Sequence, residues 1–82
     1  MTMKKTLAIK QPEIGQLISE LRCITGLTQE QFAAALGATF STINRWENGH
    51  SQPSPMAMTR IQEKLQELGD RGQELLAKYL SD

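Results

Sequence analysis

Cysteine, histidine, net charge and long apolar runs are all in short supply in this chain of 82 residues. Cys23 is the only cysteine, so an internal disulfide and a cysteine metal cluster are both excluded. A reducing, cytoplasmic setting is the expectation that fits. His50 is the only histidine and falls in a loop pattern, without a second histidine to complete a zinc site. No base-and-orienter arrangement surrounds it either, so neither an enzyme nor a cofactor or metal protein is expected. The longest apolar stretch near the start, Leu7-Ala8-Ile9, is too short for a signal peptide or a membrane span. Nine basic and nine acidic residues cancel. That balance argues against a strongly basic, sequence-blind nucleic-acid binder but leaves room for a specific one, because the local field outweighs the sum.

Charge is spread unevenly. Five acids and three bases follow from Glu63 onward, and six bases and four acids precede it, so any positive side lies in the first three-quarters. The length allows one small domain with a modest core. The expected division is a tail or arm over residues 1–10 and a single domain over 11–82. Lys4, Lys5 and Lys10 would belong to a solvated tail or to an arm touching DNA beside the main site.

What the chain does have is helical periodicity. Ile14, Leu17, Ile18, Leu21 and Ile24 recur at three- and four-residue steps after Pro12, which predicts a helix over 12–25 stopped by Gly26. Thr28, with Gln31 three residues on, reads as a capping box for a second helix whose apolar face is Phe32, Ala33 and Leu36. Thr39 caps a third helix, 40–48, with Ile43 and Trp46 on one face and Gly49 at its end. Trp46 is read as core rather than as a base-stacking platform. Ser54-Pro55 opens a fourth helix to Leu68, with Met58, Ile61, Leu65 and Leu68 inward. Gly69 and Gly72 interrupt it, and a last helix runs over 73–80. Only Thr6 to Ile9 could alternate as a strand, so the fold class is all-α, a compact bundle of about five helices. Leu75, Leu76, Tyr79 and Leu80 give the last helix more apolar surface than it can hide alone. It must fold back on the first helix or pair two chains. Cys23 is expected to be inert and partly buried.

The segment from Leu27 to Ser54 carries the functional signal. Counting Gln29 as position one, Phe32, Leu36, Ala38, Ile43 and Trp46 fall at 4, 8, 10, 15 and 18, with small Ala33 at 5 and Gly37 at 9, where the chain turns. Those spacings suit two helices locked at a fixed angle. At 100° per residue, Ser41, Asn44, Arg45 and Asn48 cluster opposite Ile43 and Trp46. Arg45 can grip guanine O6 and N7 together, and Asn44 can pair with adenine. Ser41 could bond either a base or a phosphate.

This segment resembles the Cro/C1-type (lambda-repressor-like, XRE) helix-turn-helix regulators, whose pattern is matched from Leu27 through Pro53, with the helix-turn-helix itself over 28–48. The resemblance implies base contacts from Ser41 and Arg45 and makes Phe40 a third candidate, beside Asn44 from the helix face itself. It implies a phosphate contact from Gln29, and Thr39, Thr42, Asn48, His50 and Ser51 are expected to meet the backbone as well. It also implies an ion pair between Arg22 and Glu47, which would neutralise a carboxylate on a helix meant for DNA. Phe40 departs from the family's polar residue and either meets a thymine methyl or fills the corner against the second helix. His50 and Gln52 stand where relatives often carry Lys or Arg, which predicts a weaker electrostatic grip. The implied function is a DNA-binding transcriptional regulator, a repressor or autorepressor, meeting double-stranded DNA as a homodimer. An antitoxin that also captures a toxin protein is the alternative, followed by an interaction module that has lost DNA binding.

Overall fold

A computed structural model describes residues 9–80. Five helices follow in order: α1 Glu13–Thr25, α2 Gln29–Leu36, α3 Phe40–Glu47, α4 Pro55–Glu67 and α5 Asp70–Leu80. There is no strand among the described residues. The expectation of a strand at Thr6–Ile9 falls on residues 6–8, which lie outside them, as does most of the expected tail.

Local chemistry sets the helix starts. At α2 the hydroxyl of Thr28 accepts from the Gln31 amide at 3.1 Å, and the Gln31 side chain accepts from the Thr28 amide at 3.0 Å. Two otherwise orphaned donors are thereby satisfied. Thr39 accepts from the Thr42 amide at 3.2 Å to open α3, and Ser54 accepts from the Ala57 amide at 3.2 Å to open α4. Between α2 and α3, Gly37 takes φ +70°, a left-handed turn that a β-carbon would strain, so the chain reverses within three residues. α3 stops at Glu47, with Asn48 as its cap rather than its last residue.

The core forms where the apolar stripes of all five helices meet. Ile14, Leu17, Ile18 and Leu21 of α1, Phe32 of α2, Ile43 of α3 and Ile61 of α4 are wholly shielded from solvent. Trp46 belongs to the same cluster. Ile9 also enters this core. Cys23 is exposed rather than partly buried, because it lies on the side of α1 opposite its apolar stripe.

The last helix corrects the sequence reading. α5 begins at Asp70, three residues earlier than expected, and Gly72 sits inside it rather than breaking it. Gly72 is there for space: a β-carbon would overlap the carbonyl oxygen of Leu65 in α4. Its absence lets the two helices touch backbone to backbone, and that contact offsets the low helix propensity of glycine. Leu75 and Leu76 are buried within the chain, because α5 folds back against α1 and α4. Polar contacts seal the seam. Lys78 Nζ lies 3.0 Å from both carboxylate oxygens of Glu20, and the Tyr79 hydroxyl donates to the same carboxylate.

These contacts make the seam sensitive to pH. The Tyr79 hydroxyl and Lys78 hold the Glu20 carboxyl below its ordinary value. Burial, and then the hydrogen bond to Glu20 and its charge, push Tyr79 up to about 12. A tyrosine whose folded value is raised contributes stability below its ordinary value near 10 and loses it as pH rises towards 12. The urea midpoint of the wild-type chain should therefore fall between those two pH values, and that of Tyr79→Phe should fall less. Parallel curves for the two proteins would show that the seam does not titrate.

Candidate nucleic-acid interface

The interface is built on α3, an eight-residue helix held on its inner side by Ile43 and Trp46. That anchoring leaves the opposite side in solvent. Ser41, Arg45 and Asn48 are exposed there in a row, and Thr39 and His50 are exposed at its two ends. Arg45 makes no ion pair among the described residues, so its planar fork is free. Phe40, at the helix start, leaves 48% of its surface exposed. Asn44, Thr42, Gln29 and Ser51 are half-buried. The candidate base-reading residues therefore share one face, with Asn44 on its inner flank.

One negative charge lies on α3, and the structure shows how it is neutralised. Arg22 Nε donates to Glu47 Oε2 at 2.8 Å and Arg22 Nη2 to Glu47 Oε1 at 3.2 Å, a paired grip of guanidinium on carboxylate. The hydrogen bonding to Glu47 raises the Arg22 pKa further above its already high ordinary value. Arg22 also donates to the Leu27 carbonyl at 3.2 Å, so the same side chain ties α1 to the loop before α2 and to α3. Gln29 adds a third donor to Glu47, at 3.0 Å. With its oxygens so occupied, the carboxylate is satisfied within the protein.

Gln29 has a second partner besides Glu47. Its amide nitrogen also reaches Asn44 Oδ1 at 3.4 Å, and Asn48 donates to that same oxygen at 3.2 Å. The carbonyl that Asn44 would need for pairing with adenine is thus engaged within the protein.

Three residues seat the far end of α3 in a way that the sequence reading does not anticipate. Gln11 donates from its side chain to the carbonyls of Trp46 at 2.9 Å and Ser51 at 2.7 Å, and its side-chain oxygen accepts from the Gly15 amide at 3.0 Å. Gln52 accepts from the Gln11 amide at 3.2 Å and donates to the Ile9 carbonyl at 3.0 Å. A glutamine here is therefore a strut between the chain's entry and the loop after α3, and not merely a lost lysine. Gly15 lets α1 approach so closely that a β-carbon would overlap the Trp46 carbonyl oxygen. Amide-to-carbonyl contacts between segments some forty residues apart leave no periodic trace. The only hint is Gln11 four residues before a glycine.

The helix-turn-helix family model matches residues 18–69, from the middle of α1 to just past α4. The span includes the whole exposed face of α3 and the Arg22–Glu47 pair. The chain belongs to the Cro/C1-type helix-turn-helix family, with its lambda repressor-like all-α fold. Members of this family are DNA-binding regulators and not usually enzymes, and the match makes this chain a DNA-binding regulator in general terms. No curated protein and no solved structure matches it. No helix among the described residues is long and apolar enough to cross a membrane.

The ion pair can be tested by stability. Removing one partner strands the other's charge, at about 3–5 kcal/mol for a fully buried pair. The Arg22 side chain is 21% exposed and that of Glu47 8%, which places the cost at the lower end. Arg22→Met should lose about 3 kcal/mol in urea unfolding, and adding Glu47→Leu should recover much of it. A loss below about 0.5 kcal/mol for Arg22→Met would put the pair among ordinary surface contacts.

Proposed function

We propose that this chain is a sequence-specific transcriptional regulator, a repressor or autorepressor, that binds operator DNA by placing α3 in the major groove. The carrying observation is the solvent-facing row of Ser41, Arg45 and Asn48 on a helix whose one carboxylate is turned inward and neutralised. Arg45 contacts a guanine edge and Ser41 a base or phosphate beside it. Phe40, half in solvent, lies against a thymine methyl. Gln29, Thr39, Thr42, Asn48, His50 and Ser51 position the helix through phosphates on either flank. Cytoplasmic action follows from the target.

Two copies meet on the DNA, which sets their recognition helices one turn apart. The buried residues of α5 are already covered within the chain, so this pairing does not draw on them. Sedimentation with and without operator reads it directly. An antitoxin would bind the same DNA and also carry a second small protein through purification.

Selection from a random duplex pool tests the reading. The wild-type chain should enrich a defined sequence, and Arg45→Ala should lose preference at one G·C pair at about 1–3 kcal/mol. Failure to enrich any duplex would refute it. His50→Lys adds one phosphate contact, so the slope of log K against log salt should steepen by about 0.9. An unchanged slope would place His50 away from the backbone.

A further inference from the structure

The Glu47 carboxylate, which has no proton to donate, sets the direction of a chain of hydrogen bonds that ends on the reading face. Arg22 donates to both its oxygens. Gln29 must then turn its amide nitrogen, not its oxygen, towards Glu47, and does so at 3.0 Å. That nitrogen also faces Asn44 at 3.4 Å, so Asn44 has to answer with its oxygen. Asn48 brings a second donor to the same oxygen at 3.2 Å. A flipped Asn44 would set its own NH2 against the Gln29 donor, whose direction the carboxylate fixes, and would lose the Asn48 donor unless that exposed amide turned as well. Both lone pairs of the Asn44 oxygen are therefore engaged within the protein. Its nitrogen donates to nothing among the described residues and is the group left for a ligand.

We propose that Asn44 is a specificity-determining residue that meets its base as a donor only, and so selects keto bases over amino bases. The inference rests on α3 reading the major groove. There, guanine offers O6 and N7 and thymine offers O4, all acceptors. Adenine sets its N6 amino group beside its N7 acceptor, and cytosine presents only its N4 amino group; either amino group would oppose the Asn44 NH2, so cytosine is rejected most strongly and adenine is penalised wherever N6 faces the side chain. The usual pairing of asparagine with adenine needs the side-chain oxygen to accept, and here that oxygen is withheld. Gln29 and the Arg22–Glu47 pair are positioning residues: they set which end of Asn44 faces the DNA without touching the base.

The experiment uses the whole chain and the duplex that it selects from a random pool. Every single-base substitution of that duplex is titrated by fluorescence anisotropy at one salt concentration. Asn44→Ala identifies the pair that Asn44 faces, as the position where discrimination flattens. At that pair the wild-type chain should bind the keto base about tenfold more tightly than the amino base. Gln29→Leu and Asn48→Ala each release one lone pair of the Asn44 oxygen, and each should narrow that ratio to about threefold or less. Thermal melting checks that both variants fold, and the exposed site of Asn48 keeps the second available if the first does not.

An adenine preference at that pair in the wild-type chain would overturn the proposal. So would an unaltered ratio in both folded variants. If Asn44→Ala flattens no position while Arg45→Ala still does, Asn44 is not a reader, and the proposal fails while the DNA-binding function stands. A wild-type chain that enriches no duplex would bring down that function and this proposal together.

Discussion

The grip of Arg22 on Glu47 is the constraint around which the domain is organised. It joins α1 to α3, and through the Leu27 carbonyl it also holds the entry to α2. Three elements separate in sequence thus converge on one guanidinium. The hydrophobic core brings the helices together, but apolar contacts alone are tolerant of sliding and rotation. A forked donor on a carboxylate is directional, and it sets the rotation of α3 about its own axis. That rotation decides which side chains face outward. The pair also removes the one charge on α3 that would repel a polyanion. A single interaction therefore serves geometry and electrostatics together.

At the opposite end of α3 the support is of another kind. Gln11 and Gln52 link the chain's entry to the Trp46 and Ser51 carbonyls, and Gly15 allows α1 to press against the same turn. These are neutral amide contacts and backbone proximity rather than charge. α3 is thus held near its N-terminus by its Thr39 cap, along its inner side by Ile43 and Trp46, and at its C-terminal end by two glutamines. A helix of eight residues has little intrinsic stability in water. Its order comes from these supports.

How much of this was legible in the sequence depends on the range of the interaction. The caps at Thr28, Thr39 and Ser54 act within three residues, and the text of the chain displays them. The apolar stripes have a period, so the core of α1 to α4 could be read from spacing. Gly72 could not, because its reason is the Leu65 carbonyl of a neighbouring helix, and in isolation a glycine reads as a break. The same holds for Gln11 and Gln52, whose partners lie some forty residues away. At the site, angular position on α3 separated the exposed Ser41 and Arg45 from the buried Ile43 and Trp46. It did not show that Asn44 is already engaged, since that depends on the direction of hydrogen bonds passing through Gln29.

The side chains on the outer edge of α3 differ in how far they are wired into the frame. Ser41 and Arg45 stand clear of the interior, and half of Phe40 does too. Asn44 is joined to Gln29 and Asn48, and through Gln29 to the carboxylate beneath. Exchange at the first three alters the vocabulary of the surface while the scaffold stays intact. Exchange at Asn44 disturbs the scaffold along with the vocabulary. If α3 reads DNA as proposed, target preference in a lineage descended from this chain would drift readily at positions 40, 41 and 45, and position 44 would change in company with 29.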